Sequence, residues 1–317
     1  MYKKQKIAYG VVVMVLVMLF FGGIKFKNEM EMNSFSKSVN LVQENVKIPG
    51  VKKTYRFLFL TDTHIIIKER EEIGCFGKTD SRIELFKNQK GQESKEDFPK
   101  WMKFANDQKY DAVIMGGDMI DYLTPENVKF VKKNLKHLKM PYLYTMGNHE
   151  SYIPWDNLGF QKKDKNLLGL FQNQNSEVQV LEYPEFKIVS VNDFGINAFG
   201  AVSKDALKGL QKECKEKKPI ILVLHVPITT EKSQKLYDDT VARQGSAMLL
   251  GRNCGYKLDK NAKEFLDLIE DKKTPIVAVF AGHLHFYHKD MITDKMIQVV
   301  ADASYKNTGM VINVTKE

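Results

Sequence analysis

The chain has 317 residues, of which 43% are hydrophobic and 27% charged, so it can bury the core of one large α/β domain or of two small ones. Its formal net charge is +9, but five lysines precede residue 28 with no acidic residue among them, which leaves only about +4 for the remainder. A charge this small argues against a nucleic-acid partner. Three widely spaced cysteines without a C-x-x-C pair exclude a cysteine zinc site and a disulfide framework.

The N-terminal segment predicts a membrane anchor at residues 7–24. This run carries no charge and spans about 27 Å as a helix, close to the thickness of the hydrocarbon core of a bilayer. A cleaved signal peptide and a buried globular helix are the alternatives, but the run is long for a signal peptide and no Ala-x-Ala-like site follows it. We therefore expect a single-pass protein, with residues 1–27 as the anchor, the N-terminus in the cytosol and the large C-terminal part outside.

Residues 28–50 connect this anchor to the main domain. Residues 28–38 are polar and typical of a linker, whereas Val39 to Ile48 are apolar enough for an edge strand, and a turn at "PGVKK" follows. The main domain then extends over residues 51–317, without an internal repeat or a low-complexity tract.

Five short apolar runs of the main domain each end in polar residues. They are four to eight residues long and rich in Val, Ile, Leu and aromatic residues, which is typical of strands buried on both faces. The runs end in Asp62 and His64, in Asp118 and Asp121, in Asn148, His149 and Glu150, in His225, and in His283 and His285. Glycines just before several of these residues permit tight turns there.

Helical patterns separate these runs. "TPENVKFVKKNLKHLK" has Thr124 as an N-cap and Pro125 in its first turn, and "SKDALKGLQKECKEKK" begins with Ser203 as a cap. The alternation of strand and helix indicates an α/β fold. Four further strand patterns without intervening helices, "EVQVLEY", "FKIVSVND", "MIQVVAD" and "GMVINVT", predict a second, mixed sheet.

The polar residues at the strand ends have the chemistry of a metal site. In open α/β sheets functional groups collect beyond the carboxyl ends of the strands, so residues far apart in the chain can meet there. The candidate ligands are two carboxylates, one amide and four imidazoles: Asp62, Asp118, Asn148, His64, His225, His283 and His285. Packed together without a cation, these groups would repel one another or stay unsatisfied. Seven ligands fit two ions that share a carboxylate, and nitrogen and oxygen donors without thiolate suit Zn, Fe or Mn.

The order of these motifs resembles that of the calcineurin-like metallophosphoesterase superfamily. The family's motifs D-x-H, G-D-x-x-D, G-N-H-[DE], a lone His and G-H-x-H stand here at residues 62–64, 117–121, 147–150, 225 and 282–285. The match runs from about residue 55 to residue 286 and lacks no element. It implies a two-sheet αββα sandwich with a dinuclear metal centre that hydrolyses phosphodiesters or phosphomonoesters.

The resemblance also implies a role for each residue. Asp62, His64 and His285 would bind the first metal ion, Asn148, His225 and His283 the second, and Asp118 would bridge the two. His149 would act as a general acid or hold the phosphate, and Asp121 would orient His149. A hydroxide between the ions would attack phosphorus, because two metal ions neutralise the phosphoryl oxygens and acidify water.

One departure from the family and one connecting segment bear on the substrate. Tyr122 follows Asp121 where the protein-phosphatase branch has Arg, which argues against a protein serine/threonine phosphatase of that branch. The polar stretch after His225 is either a solvated loop or a cap that brings Arg243 or Arg252 to the phosphate. Nucleotides, cyclic nucleotides, phospholipid head groups and cell-envelope phosphate esters are all open as substrates, and the anchor favours the last two.

Two other functions stay open on sequence alone. A non-catalytic, membrane-tethered interaction module on the same fold should lack ligands or His149, and none of these is missing. A nuclease of the same superfamily should carry more positive charge than the mild excess here. The prediction is therefore a metallophosphoesterase that acts on a small-molecule, envelope or lipid phosphoester and not on nucleic acid.

Overall fold

The computed structural model describes residues 29–68, 76–151, 175–194, 201–251 and 257–316. It divides into two units, residues 1–39 and residues 40–317. In the first unit, residues 29–38 form helix α1, so the predicted linker is helical over this length. Across the described ranges, no helix has both the length and the apolar composition that crossing a bilayer requires. The anchor predicted at residues 7–24 lies outside the described residues.

In the second unit, strands and helices alternate through most of the chain. In chain order the elements are β1 (Asn40–Lys47), β2 (Tyr55–Leu60), α2 (Phe76–Leu85), α3 (Ser94–Gln108), β3 (Ala112–Met115), α4 (Pro125–Leu135), β4 (Tyr142–Tyr144), β5 (Val178–Glu182), β6 (Lys187–Val191), α5 (Lys204–Cys214), β7 (Ile220–Val223), β8 (Ile228–Thr229), α6 (Gln234–Gln244), β9 (Leu250–Gly251), α7 (Lys260–Glu270), β10 (Ile276–Ala281), β11 (His288–Met291), β12 (Ile297–Val300) and β13 (Thr308–Thr315). The alternation confirms the predicted α/β fold.

Most of the strands form two mixed sheets. The first sheet has the order β1-β13-β2-β3-β4 and the second has the order β11-β12-β10-β7-β6-β5, while β8 and β9 pair separately. Strands β2, β3 and β4 run parallel to one another, and so do β6, β7, β10 and β12. Parallel strands within each sheet bring several carboxyl ends to the same edge.

One strand joins a different sheet from the one predicted. The sequence "GMVINVT" lies in β13, which pairs antiparallel with β2 and parallel with β1 in the first sheet. Its alternate residues Met310, Ile312 and Val314 are buried in the core between the sheets. Side-chain alternation shows that one face of a strand is apolar, but it does not show which strands supply the backbone partners. The other three patterns lie in β5, β6 and β12 of the second sheet, as predicted.

Both sheets contribute to the core between them. Phe57 of the first sheet and Ile221 and Phe280 of the second belong to one buried cluster. Helices α5 and α7 cover the outer face of the second sheet. On the outer face of the first sheet, Trp101 of α3 lies against Gly309. The layers therefore run helix, sheet, sheet, helix.

Helices α4 and α5 begin at the residues that the sequence predicts. The Thr124 side chain accepts a hydrogen bond from the Asn127 N–H (3.2 Å), and the Ser203 side chain accepts one from the Ala206 N–H (3.0 Å). Each cap satisfies an N–H group that has no partner within the helix. The Thr124 cap also holds the chain shortly after the G-D-x-x-D motif.

The stretch after His225 contains a helix instead of an open loop. Residues 234–244 form α6, on which Leu236 is buried. At the C-terminal end of α6, the Gln244 side chain donates to the Leu284 carbonyl over 2.8 Å. The helix therefore packs against the segment that follows β10, and the alternative of a purely solvated loop is wrong for these residues.

Candidate metal centre

Five strands from both sheets end at one edge of the sandwich, and the segments that follow them meet there. The Asp62 N–H donates to the Gly117 carbonyl over 2.9 Å, which joins the segments after β2 and β3. The Gly282 N–H donates to the His225 carbonyl over 3.1 Å, which joins the segments after β10 and β7. Between the sheets, the His283 N–H donates to the Asp62 carboxylate over 2.9 Å. Segments far apart in the chain therefore converge, as expected for the carboxyl ends of parallel strands.

The seven predicted ligands lie together in this cluster. Within each of two sets of residues, the potential ligand atoms lie within 4.8 Å of one another. The sets are Asp62, His64 and His285, and Asp118, His225 and His283. Asn148 joins the second set, since its side-chain oxygen lies 3.2 Å from His225 Nε2. The two sets meet at Asp118, whose Oδ2 lies 3.2 Å from His225 Nε2 and 3.9 Å from His64 Nε2.

Hydrogen bonds on the outer ring nitrogens turn the inner ones toward the cluster. His64 Nδ1 lies 2.9 Å from Asp121 Oδ1, and His225 Nδ1 lies 2.8 Å from the Gly116 carbonyl. Because these acceptors bind the Nδ1–H group, each Nε2 faces the cluster, where it can bind a metal ion once it carries no proton. His64 Nε2 lies only 3.0 Å from His285 Nε2, and two ring nitrogens this close require a proton or a metal ion between them. The donor set therefore fits metal ions.

Burial and charge prepare the same groups for binding a cation. Burial lowers the pKa of His64 to about 4 and that of His283 to about 3, so both imidazoles are neutral near pH 7. Burial alone would raise the pKa of Asp62, but a hydrogen bond from His285 and its charge lower it to about 2. Burial likewise opposes protonation of His225, but the negative charge of Asp118 outweighs it and raises the pKa of His225 to about 10. Ionised carboxylates thus attract positive charge to this point.

The backbone is strained at the ligands themselves. In the described part of the chain eight residues other than glycine have a positive φ, and five of them are Asp62 (53°), His64 (46°), Asp118 (52°), His283 (73°) and His285 (56°). Such conformations cost on the order of 1–3 kcal/mol each and persist only where the surroundings hold them. Strain concentrated on the predicted ligands indicates that the fold holds these side chains in place for a function.

Glycine allows the strand ends to approach one another at two of the motifs. A Cβ atom on Gly117, whose φ is +95°, would lie 2.4 Å from His225 Nδ1. A Cβ atom on Gly147 would lie 2.1 Å from Asp118 Oδ1. Neither distance leaves room for a carbon atom, so only glycine fits beside these ligands.

His149 and Asp121 lie beside the ligands. His149 Nδ1 lies 2.9 Å from the Asp121 backbone carbonyl, and His149 Nε2 lies 4.0 Å from Asp118 Oδ2. Burial opposes protonation of His149, but the charges of Asp118 and Asp121 outweigh it and raise the pKa of His149 to about 9. His64, Asp121 and His149 form a third group of potential ligand atoms. In this group the Asp121 carboxylate already contacts ring nitrogens of both histidines and the guanidinium of Arg82. His149 therefore holds a proton near neutral pH and faces the cluster.

Glu150 organises two of the motif loops, a role for which the sequence analysis makes no prediction. It is fully buried, and its carboxylate accepts hydrogen bonds from the N–H groups of Gly147 (2.7 Å), Asp118 (2.9 Å) and Met119 (2.8 Å) and from the Tyr144 hydroxyl (2.9 Å). It therefore ties the turn after β3 to the turn after β4. The sequence does mark this residue, because Glu150 is the last residue of the G-N-H-[DE] motif.

Asp193 has the corresponding role in the second sheet and is likewise absent from the predicted site. Its carboxylate accepts hydrogen bonds from the N–H groups of His225 (3.1 Å) and Val226 (2.9 Å), and so fixes the turn after β7. Burial raises the pKa of Asp193 to about 7. The polar end of "FKIVSVND" is the signal for it, because this strand pattern ends in the same way as the five runs that carry the predicted ligands.

The two arginines predicted to contact substrate lie on or after α6. The guanidinium of Arg243 lies 4.6 Å from the centre of the Phe286 ring. Phe286 directly follows His285, so Arg243 is close to the segment that carries a predicted ligand. Arg252 lies outside the described residues. A substrate contact of either arginine stays a prediction.

Metallophosphoesterases carry nitrogen and oxygen donors of this kind at the edge of a two-sheet sandwich. In agreement, a family model described as calcineurin-like phosphoesterase matches residues 55–287, which are most of the chain. The chain belongs to the calcineurin-like phosphoesterase family, and the resemblance drawn from its five motifs is confirmed.

Individual relatives are more distant. A probable glycerophosphodiester phosphodiesterase, GpdQ, from Arcobacter nitrofigilis is 27% identical over 150 residues, which are 45% of this chain and 52% of that protein. The chain therefore spans about half the length of this curated relative. A dimetal phosphatase from Danio rerio is 11% identical, with a TM-score of 0.49 over 80% of this chain and 88% of that one. Purple acid phosphatase from yellow lupin is 13% identical, with a TM-score of 0.45 over 80% of this chain and 44% of that one.

Replacing Glu150 by Gln should destabilise the protein even without metal ions. The amide keeps the size of the side chain but turns an NH₂ group toward backbone N–H donors, and each buried group left unsatisfied costs about 1–3 kcal/mol. We expect the free energy of unfolding, measured in urea with a chelator present, to fall by about 2–3 kcal/mol. The exposed substitution Glu264→Gln on α7 should change it by less than ~0.5 kcal/mol. Equal stability of the two variants would show that the Glu150 carboxylate does not hold the loops.

Proposed function

We propose that this protein hydrolyses phosphoric esters at a centre of two metal ions. The observation that carries this proposal is the pair of donor sets, Asp62–His64–His285 and Asp118–His225–His283, which meet at one edge of the sandwich. Membership of the calcineurin-like phosphoesterase family supports the reaction class. A non-catalytic module on the same fold would need neither two complete donor sets nor a protonated imidazole beside them.

Each side chain of the cluster has a proposed part in this centre. Asp62, His64 and His285 would hold one ion, Asn148, His225 and His283 would hold the other, and Asp118, which lies between the two donor sets, would contribute to both. When bound, the ions supply Lewis acidity, which neutralises charge on the phosphoryl oxygens and lowers the pKa of water. The nitrogen and oxygen donors are compatible with Mn, Fe or Zn. The protein itself contributes by holding the donors in position before the substrate arrives.

His149 is the proposed proton donor to the leaving oxygen. Its Nδ1 lies 2.9 Å from the Asp121 carbonyl and 3.2 Å from the Asp121 carboxylate, and its Nε2 lies on the side of the cluster, 4.0 Å from Asp118 Oδ2. The charges of Asp118 and Asp121 keep the ring protonated in spite of its burial. General acid catalysis of this kind contributes about 10²–10⁴-fold to the rate. Asp121 orients the ring and does not itself contact the ester.

A small phosphodiester is the substrate class that we propose. The relative that is 27% identical over 150 residues is named a probable glycerophosphodiester phosphodiesterase. Arg243, which stacks over Phe286 beside the donor sets, is the proposed contact for a substrate oxygen on the α6 side. Because five lysines before residue 28 account for most of the net charge of +9, the remainder has too little net positive charge for a nuclease.

We also propose that residues 7–24 anchor the protein in a membrane with the catalytic domain outside the cytosol. The support is an uncharged apolar run of bilayer length with lysines at both ends. Such an anchor would keep the site close to lipid head groups and to phosphate esters of the cell envelope.

The anchor is tested by fractionating cells that express the full chain or a chain that begins at residue 28. We expect the full chain in the membrane pellet after washing with alkaline carbonate, because an apolar helix of this length is not released by salt or pH. The shortened chain should be recovered in the soluble fraction. Recovery of the full chain in the soluble fraction would contradict the anchor. The orientation is tested separately, because protease added to intact cells should cleave the catalytic domain if that domain lies outside the cytosol.

The reaction is tested with bis(p-nitrophenyl) phosphate and p-nitrophenyl phosphate. Treatment with a chelator should abolish turnover of whichever ester is hydrolysed, and added Mn²⁺ should restore it. Asp118→Asn removes the charge that both donor sets share, so its loss in kcat should exceed the ~10–100-fold typical of groups that only support a ligand. Asp205→Asn, on the exposed face of α5, serves as the control and should match the wild type. A folded, Mn²⁺-loaded chain that hydrolyses neither ester would refute the proposal.

The role of His149 is tested by varying the leaving group. His149→Gln should lower kcat by about 10²–10⁴-fold for a glycerophosphodiester, whose alkoxide must be protonated as it leaves. The loss should be much smaller for bis(p-nitrophenyl) phosphate, because nitrophenolate leaves without a proton. Metal content should stay at the wild-type value, and the exposed His137→Gln should have no effect on either ester. Equal losses for both esters would indicate that His149 holds the phosphate instead.

A further inference from the structure

Helix α2 brings an arginine to the carboxylate that orients His149. Arg82 Nε donates to Asp121 Oδ2 over 2.9 Å, and Arg82 Nη2 donates to Asp121 Oδ1 over 2.5 Å. Asp121 is fully buried, whereas the side chain of Arg82 is 31% exposed. Two parallel N–H···O bonds fix both the direction and the plane of a carboxylate, which a single ammonium group does not do.

Asp121 needs this partner because two imidazoles already depend on it. Asp121 Oδ1 lies 2.9 Å from His64 Nδ1 and 3.2 Å from His149 Nδ1. Only a carboxylate that presents lone pairs to both rings can accept both N–H groups, and a buried carboxylate in this form is costly without a compensating cation. A protonated His149 supplies part of this charge, and the guanidinium of Arg82 supplies a cation that, unlike an imidazole, does not lose its proton in proteins.

The same part of the chain also holds the ring plane of His64. The ring of Phe86, just after α2, stacks on His64 with the centroids 4.0 Å apart and the planes within 2° of parallel. The guanidinium of Arg82 lies 4.6 Å from the centre of the Phe86 ring. Phe86 therefore contacts both the imidazole of His64 and the guanidinium of Arg82. The edge of His64 is held through Asp121, and its face is held by Phe86.

This arginine does not come from the metal-binding motif itself. Tyr122 directly follows Asp121, and it is buried with Ile66, Ile83 and Phe86 in a small apolar cluster. Tyr122 therefore brings no charge to the carboxylate. The compensating charge comes instead from a residue 39 positions earlier in the chain, on a helix between the first and second motifs.

We propose that Arg82 is a positioning residue of the site, an inference that rests on the function proposed above. By fixing Asp121, it keeps the Nδ1 atoms of His64 and His149 directed away from the cluster. His64 Nε2 then faces the first donor set, and His149 Nε2 faces the leaving oxygen. One guanidinium thus sets the geometry of a metal ligand and of the proton donor together, and it does so through Asp121.

The test compares Arg82→Met, Arg82→Lys and, as a control, Lys87→Met in the full chain. Lys87 carries a positive charge just after α2, but it pairs with Glu84. For Arg82→Met we expect kcat to fall by about 10–100-fold and Mn²⁺ binding, followed by electron paramagnetic resonance, to weaken by about tenfold or more. KM should change by less than about threefold, because the lost contact is not with substrate. Arg82→Lys should recover part of both losses, and Lys87→Met should match the wild type.

Other outcomes would overturn the inference. A higher KM with wild-type kcat and wild-type Mn²⁺ binding would mean that Arg82 binds substrate, and wild-type behaviour throughout would mean that it has no part in the site. If Arg82→Met does not fold, Arg82→Lys decides, and wild-type kcat and Mn²⁺ binding in that variant would refute the inference. If the wild-type chain hydrolyses no ester, the proposed function fails, but the Mn²⁺ titration of the same variants still decides the role of Arg82.

Discussion

The buried carboxylate of Asp118 is the group on which the rest of the site depends. It lies where the ends of the two sheets meet, 3.2 Å from His225 Nε2, and it accepts the His149 backbone N–H over 2.8 Å. A buried negative charge is costly unless cations and N–H donors surround it. The sandwich supplies such groups because parallel strands of both sheets have their carboxyl ends at the same edge. The choice of imidazoles, the glycines and the strained turns all follow from packing polar groups around this carboxylate.

Two carboxylates outside the donor sets hold the backbone that presents the ligands. Glu150 accepts the N–H groups of the turns after β3 and β4, and Asp193 accepts those of the turn after β7. These bonds stabilise turns in which Asp118 has a φ of 52°, a conformation that an isolated chain would seldom adopt. Side chains held in this way need little rearrangement when they act, and such preorganisation is the basis of electrostatic catalysis in enzymes.

Two helices that lie between the motifs contact the segments around the site. Helix α2 supplies Arg82, and α6 packs against the segment after β10 through Gln244. Neither helix contains a motif residue, so both are free to vary while the strand ends keep their chemistry.

Features that depend on local pattern can be predicted from the amino-acid sequence alone. Buried runs that end in Asp, Asn or His identified the strand ends and the side chains that meet there, and Thr124 and Ser203 identified the starts of two helices. Four other features could not be predicted in this way: the sheet that β13 joins, the packing of α6 against the segment after β10, the ring nitrogen of His64 and His225 that faces the cluster, and the pairing of Arg82 with Asp121. They arise from contacts between residues that are far apart in the chain. Side-chain periodicity reports which face of an element is buried, but not against which partner.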